Sequence, residues 1–145
     1  MSPLFRTMLI ASATALALAS APAMAATMKF TAALTAAAET PATTSTGTGK
    51  ADVSFDTVSK MLSWTVSYSG LTGKAMAAHF HGPAAVGAKA APVVPIAGDL
   101  TSPIKGTATL TDKQAADLEA GMWYLNVHTA KYPDGEIRGQ VVAAK

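Results

Sequence analysis

The sequence predicts an all-β protein: an antiparallel Greek-key β-sandwich with one short crossover helix near residues 112–120. Three observations support this prediction. Apolar and polar residues alternate in several short runs, as they do in strands that bury one face. Residues that favour turns separate these runs, and only one segment carries the start and stop signals of a helix. Many short strands with a single short helix are typical of two packed antiparallel sheets.

Eight segments are predicted to be strands. The clearest is 61–71, because its apolar residues occupy every second position and must share one face. A tract rich in Thr, Ser and Gly at 36–48 interrupts the pattern and is predicted to be an exposed loop. The predicted strands cover 27–34, 49–56, 61–71, 75–81, 92–97, 105–110, 122–128 and 137–143.

The helix is predicted from its two ends. Thr111 can cap the first turn, and Gln114 follows three residues later, as in a capping box. Gly121 supplies a stop signal at the other end. A helix of about nine residues connects strands and cannot serve as a scaffold for them.

The N-terminal segment has the features of a secretory signal peptide. A short stretch containing Arg6 precedes an apolar run at 8–19, and the small residues of 23–25 follow. The run is shorter than the ~20 apolar residues of a membrane span. We expect cleavage after Ala25, one domain at 26–145, and a location in the periplasm or outside the cell. No other apolar run of that length occurs, so no membrane span is expected in the mature chain.

Composition excludes several classes of function. The chain has no cysteine, so disulfides and a lipid-anchored cysteine are both excluded. After removal of the signal peptide, ten Lys and Arg residues face nine acidic residues. The lysines are scattered and only one arginine remains, which argues against nucleic-acid binding.

All three histidines fall in two predicted strands. His79 and His81 share one strand face about 6.6 Å apart, a spacing that can chelate one metal ion. His128 lies on the polar side of its strand, so a three-histidine site forms if the two strands are neighbours. Neutral imidazole suits copper, zinc, iron or nickel, and Met76 would add a thioether that favours Cu(I). The alternative is structural: the rings bind neighbouring carbonyl groups and close a polar layer.

Other catalytic arrangements lack support in the sequence. There is no cysteine nucleophile, no G-x-S-x-G turn and no glycine-rich phosphate loop before a helix. The carboxylates Glu39, Asp99 and Asp134 are isolated. Glu136 and Arg138 are predicted to fix the C-terminal hairpin through hydrogen bonds. Substrate recognition by Arg138 is the alternative.

Three motifs resemble one known family, the CHRD (chordin-type) domain. They are A-H-F-H-G-P-A at 78–84, G-M-W-Y-L-N-V-H-T at 121–129 and P-D-G-E-I-R-G-Q at 133–140, and E-T-P at 39–41 resembles the family's early E-x-P element. The resemblance covers essentially all of the mature chain and implies that the two histidine segments are adjacent in the fold. Besides the histidines, it marks Glu39, Pro41, Gly82, Pro83, Asn126, Thr129, Gly135, Glu136, Arg138 and Gly139.

The resemblance implies an immunoglobulin-like sandwich but no defined activity. In chordin, such modules belong to an extracellular antagonist of bone morphogenetic proteins; in bacteria they occur as single exported domains of undefined role. The H-x-H strand is also similar to the copper-ligand strand of Cu/Zn superoxide dismutase. This chain lacks that enzyme's disulfide, longer histidine set and zinc loop, so dismutase activity is not expected.

Three functional hypotheses follow. The first is a non-enzymatic exported binding module for an unknown protein or small ligand. The second is a periplasmic protein that binds copper or zinc through His79, His81 and His128. The third is a metal-dependent redox enzyme. The distance between the imidazole nitrogens separates the first hypothesis from the other two.

Overall fold

A computed structural model describes residues 24–145. The signal peptide predicted at 1–25 therefore lies almost entirely outside the described residues. Within residues 24–145, no helix combines the length and the apolar character that crossing a membrane requires.

The described chain forms eight strands and one helix, close to the predicted positions. Helix α1 has the predicted capping box: Gln114 N–H donates to the Thr111 hydroxyl, and Thr111 N–H donates to the Gln114 side chain. The elements are β1 (Thr27–Thr35), β2 (Thr48–Asp56), β3 (Met61–Ser69), β4 (Ala75–His81), β5 (Pro92–Pro95), β6 (Ile104–Thr109), α1 (Asp112–Glu119), β7 (Trp123–Thr129) and β8 (Ile137–Ala143).

All strand pairs are antiparallel and belong to one sheet with the order β5-β4-β7-β8-β1-β2-β3-β6. The predicted all-β antiparallel class is confirmed. β4 pairs with β7 and β1 with β8, so strands distant in sequence become neighbours, as in Greek-key connections. The hydrogen-bonded ladder is continuous and nearly closed, which is consistent with the predicted β-sandwich.

The core lies inside the curled sheet and is filled by alternate strand residues. Phe80 on β4 is fully buried, with its ring centroid 5.3 Å from that of Trp64 on β3 and 5.8 Å from that of Trp123 on β7. β3 and β4 are not neighbours in the sheet. Phe80 therefore joins the two halves of the sheet across the core.

Outside the sheet, two loops cover the outer face of β4, β7 and β8. In the 82–91 loop, Ala88 O accepts a hydrogen bond from Arg138, and Ala90 O accepts one from Tyr124. In the 36–47 loop, the Thr43 hydroxyl donates to Glu136 O. These contacts bury a polar layer outside the core, and the candidate site lies in that layer.

Replacing Phe80 with Ala should destabilise the protein by about 3–5 kcal/mol, because the change removes a ring packed between two indoles and leaves a cavity. Urea unfolding at pH 7 measures this difference. Val86→Ala is the control, since Val86 is 83% exposed and should unfold like the wild type. A loss below 1 kcal/mol for Phe80→Ala would show that the two halves of the sheet do not depend on this ring.

Candidate metal centre

The pairing of β4 with β7 brings the three histidines together. In this register His79 lies opposite Asn126, His81 opposite Tyr124, and Ala77 opposite His128. Because alternate residues of a strand share a face, His79 and His81 project from the same side of the sheet as Asn126 and His128. The two histidine-containing segments are adjacent, as the sequence predicted.

The imidazole nitrogens lie within reach of a single ion. His79 Nδ1 is 3.1 Å from His128 Nε2. One nitrogen from each of His79, His81 and His128 lies within 4.8 Å of the others. Four-coordinate zinc has Zn–N bonds of about 2.0–2.1 Å, which places two donor nitrogens about 3.3 Å apart. The nitrogens of His79 and His128, 3.1 Å apart, are close to that spacing.

Two of the rings are fixed by backbone carbonyl oxygens. His81 Nδ1 is 2.9 Å from Ala90 O, and His128 Nδ1 is 2.8 Å from Pro133 O. A carbonyl oxygen only accepts, so each Nδ1 carries the hydrogen and each neutral ring keeps its lone pair on Nε2. Metal-binding histidines are commonly oriented in this way. The predicted structural role, in which the rings bind carbonyl groups, therefore holds for the Nδ1 atom of each ring. The second nitrogen of each ring is directed at the cluster.

The amide of Asn126 completes the inner part of the cluster. Its Oδ1 is 2.9 Å from His81 Nε2 and 2.9 Å from His128 Nε2. Asn126 is buried, so this contact is shielded from water. Asn126 belongs to the CHRD-like motif at 121–129, and the sequence alone predicts no chemical role for it.

Burial favours the neutral form of two of the rings. Burial lowers the pKa of His79 below its ordinary value, and the neighbouring His128 and His81 lower it further. Burial also lowers the pKa of His81, and this effect exceeds the opposing effects of its hydrogen bonds to Ala90 and Asn126. Both rings are therefore neutral at pH 7, which is the state that binds metal.

A stack of three side chains holds His81 in place. The His81 ring lies parallel to the Tyr124 ring, with centroids 4.6 Å apart and an interplanar angle of 6°. The guanidinium of Arg138 lies 3.4 Å from the centre of the Tyr124 ring and donates to Ala88 O. Arg138 is buried and its contacts are with the fold. This placement supports the structural role predicted for Arg138 over substrate recognition.

Glu39 lies behind Asn126, on the side of the amide away from the histidines. Its side chain is buried, and Oε1 has no hydrogen-bond partner within residues 24–145. Burial raises the pKa of Glu39, while the Thr40 N–H, Arg138, Lys89 and Asn126 oppose the rise. The sequence could not connect Glu39 with Asn126, because a long stretch of chain separates them.

Gly135 allows this approach of Glu39 to Asn126. A Cβ atom at position 135 would collide with the carboxylate of Glu39 and lie 2.9 Å from Asn126 Nδ2. Its φ of 125° is also one that residues with a side chain rarely adopt. This glycine of the P-D-G-E-I-R-G-Q motif thus makes room for a buried carboxylate.

A cleft of about 300 Å³ opens beside the cluster. It reaches two of the three histidines and carries charged residues of both signs at its edge. Its lining includes His81, His128, Tyr124, Asn126, Glu39, Lys89, Asp134 and Arg138.

Glu136 is fully buried but belongs to a separate network. Its carboxylate accepts hydrogen bonds from Ser45 Oγ (2.6 Å), Thr72 N (2.8 Å), Thr72 Oγ1 (2.7 Å) and Thr129 Oγ1 (2.5 Å). Within the described residues it forms no salt bridge with Arg138. The two charged side chains fix the C-terminal hairpin through different partners, which fits the structural role predicted for them.

The remaining predicted positions lie away from the cluster. Met76 is 62% exposed and lines a separate depression with Asp99, so it does not face the histidines. Pro41 and Pro83 are exposed loop residues, and Gly82 lies against the indole of Trp123. Gly139 brings β8 against the backbone of β1 at Ala33, where a side chain would not fit.

The fold and site define an all-β domain with a histidine cluster in a polar layer outside its core. The family model described as CHRD domain matches residues 30–141, so the chain belongs to the CHRD domain family. Searches of curated proteins and of solved structures found no match.

Replacing Glu136 with Gln should lower stability at pH 7 by about 2 kcal/mol, because hydrogen bonds to a buried carboxylate are charge-assisted. Burial raises the pKa of Glu136, but the hydrogen bonds from Ser45, Thr129 and Thr72 outweigh it and hold the pKa below 4.5. A carboxyl group whose pKa is lower in the folded than in the unfolded state stabilises the fold at pH values above its unfolded pKa. This stabilisation is lost as the pH falls through the folded pKa.

The stability difference between wild type and Glu136→Gln should therefore shrink below pH 4.5, as urea unfolding at pH 7 and pH 3 would measure. Glu119→Gln is the control, since Glu119 is exposed at the end of α1. A difference that is unchanged in acid would mean that the negative charge is not what the hydroxyl groups stabilise.

Proposed function

We propose that this protein is an exported, non-enzymatic binding module whose ligand is a single transition metal ion, copper or zinc. His79, His81 and His128 supply three imidazole nitrogens to it. The observation that carries this proposal is the convergence of the three nitrogens on one side of the β4–β7 pair. These are the only histidines in the chain, and the strand pairing places all of them at one point.

The hydrogen bonds behind the rings support the proposal. The carbonyl groups of Ala90 and Pro133 keep hydrogen on the Nδ1 atoms of His81 and His128. The Nε2 lone pairs are therefore presented without any rearrangement of these rings. A set of ligands held in place in advance loses less entropy when an ion binds.

Imidazole suits iron and nickel as well as copper and zinc, and the affinity of a given site for divalent first-row metals is highest for copper. The exposure of Met76 removes the thioether that would have favoured Cu(I). Three imidazole ligands with an adjacent cleft are compatible with Cu(II) and Zn(II) alike.

A second candidate is a metal-dependent redox enzyme, and the cleft beside His81 and His128 is the feature that favours it. An ion held there would be accessible to small molecules. We favour a binding role, because the charged groups beside the cluster contact the fold: Arg138 stacks on Tyr124, and Glu39 faces Asn126 and Gly135. Catalytic oxidation of a reductant by the copper-loaded protein, with loss in His128→Ala, would favour the enzyme instead.

The purified domain, residues 26–145, should bind one Cu(II) or Zn(II) ion in isothermal titration calorimetry. His79→Ala and His128→Ala should each weaken binding at least tenfold, since each removes one ligand. Lys105→Ala, an exposed change on β6, is the matched control, and circular dichroism confirms folding of every variant. Absence of binding, or equal binding by wild type and both histidine variants, contradicts the proposal.

Metal should also stabilise the fold. An ion that binds only the folded state at a free concentration of 100 Kd adds about 2.7 kcal/mol to the free energy of unfolding. Thermal unfolding with and without Zn(II) measures the shift, and EDTA should reverse it. His128→Ala should show no such shift, so an equal shift in this variant would place the ion elsewhere.

Export has a separate test. Expression of the full chain in a bacterium should give a periplasmic or secreted product that begins at Ala26, since the small residues 23–25 fit a cleavage site. Intact mass spectrometry of cell fractions identifies the product. A full-length chain that stays in the cytoplasm would contradict the proposed export.

A further inference from the structure

We infer that the metal ion has a fourth protein ligand, the amide oxygen Oδ1 of Asn126, and that Glu39 orients this amide from behind. The inference rests on the proposed metal-binding function and adds an oxygen donor to the three nitrogens. It changes the site from an open three-histidine cluster to a set of four donors.

Asn126 Oδ1 lies at donor–donor distance from two imidazole nitrogens. Asn126 Oδ1 lies 2.9 Å from both His81 Nε2 and His128 Nε2, and His128 Nε2 lies 3.1 Å from His79 Nδ1. Donors around a four-coordinate ion with bonds near 2.1 Å are separated by about 3.3 Å. The observed separations are shorter than that by only a few tenths of an ångström. The amide oxygen is thus placed where a fourth ligand would be.

The hydrogens on the nitrogens of His81 and His128 also point to a bound cation. Both Nδ1 atoms already donate to carbonyl groups, as described above. If Oδ1 accepted hydrogen bonds from both Nε2 atoms, His81 and His128 would each carry a positive charge. The two ring centroids are 6.5 Å apart, and His81 stacks on a tyrosine that Arg138 covers. Two such charges in a buried layer repel each other.

A bound cation removes this conflict. The two Nε2 atoms keep their lone pairs, the amide oxygen contributes one of its own, and all three are directed at the ion. Each ring stays neutral, and each Nδ1 keeps its hydrogen bond to the backbone. One divalent ion replaces the two additional protons.

While Glu39 is ionised, reversing the amide does not resolve the conflict without metal. The oxygen and nitrogen of an amide are distinguished by their hydrogen-bond partners. With the amide reversed, Nδ2 could donate to both Nε2 atoms, but Oδ1 would then face Glu39. The carboxylate of Glu39 already has an oxygen with no partner. In the observed orientation Nδ2 lies on the side of Gly135 and Glu39, where a negative charge attracts it.

Glu39 is thus a positioning residue that acts through Asn126. Its charge favours the orientation in which Oδ1 faces the histidines, and it polarises the amide so that the oxygen becomes a stronger donor. A donor set of three imidazoles and one amide oxygen favours Zn(II) or Cu(II) over Cu(I), because Cu(I) prefers sulfur.

The test uses Zn(II) affinity by competition titration and the visible absorption of the Co(II)-substituted domain. Asn126→Leu removes the oxygen, so it should lower the affinity for Zn(II) at least tenfold and alter the Co(II) absorption bands. Asn126→Asp keeps an oxygen donor, so it should retain the Zn(II) affinity and the Co(II) absorption bands. Glu119→Gln changes an exposed carboxylate at the end of α1, away from the cluster, so it should behave like the wild type.

Glu39 is tested in two backgrounds. Glu39→Gln alone should lower the affinity for Zn(II), because it removes the charge that orients the Asn126 amide. In the Asn126→Asp background the same change should not weaken Zn(II) binding, because either oxygen of the aspartate can bind metal and Glu39 only repels this second carboxylate. A purely structural role of Glu39 would give equal losses in both backgrounds, and a double-mutant cycle separates the two results.

Failure of this inference differs from failure of the proposed function. If the wild type binds neither Zn(II) nor Co(II), the proposed function fails. If binding depends on His79 and His128, but Asn126→Leu and Glu39→Gln match the wild type in affinity and Co(II) spectrum, the fourth ligand is overturned and the function stands. Should Asn126→Leu not fold, Asn126→Asp and the Glu39 cycle decide.

Discussion

The pairing of β4 with β7 is the constraint on which the site depends. Strand side chains alternate between two faces, so a register shift of one residue would exchange the core and polar sets. Phe80 must stay in the core between Trp64 and Trp123, and that requirement holds its neighbours on the outer face. The positions of His79 and His81 are therefore a consequence of core packing, independent of any ligand.

The second layer is built from groups that would be costly to bury alone. A carboxylate or guanidinium loses hydration inside a protein and needs hydrogen bonds in return. Glu136 obtains them from Ser45, Thr72 and Thr129, and Arg138 from Ala88 O and the face of Tyr124. Each network draws loop residues against the sheet. The 82–91 loop that Arg138 holds through Ala88 also supplies the Ala90 carbonyl group that orients His81, so this charged residue shapes the site without entering it.

How far the sequence could predict this protein depended on the range of each interaction. The strands and α1 follow from local alternation and from the Thr111 cap. The resemblance to the CHRD family implied that the two histidine segments are neighbours. The carbonyl anchors at Ala90 and Pro133 could not be predicted, because every residue has a carbonyl group and only the folded path selects one. The contact between Glu39 and Asn126 joins two distant stretches of chain, and no local pattern encodes it. The thioether proposed at Met76 fails because Met76 lies three residues before His79, and alternate residues of a strand share a face.

The three histidines differ in how firmly they are held. His81 is fixed by a carbonyl and an aromatic ring, and His128 by a carbonyl, whereas His79 has no backbone anchor in the described part of the chain. An ion leaving such a cluster would detach first from the ligand that rotates most freely. Exchange with another metal carrier would then begin at His79, and its rate would be set by rotation of one side chain with no opening of the fold.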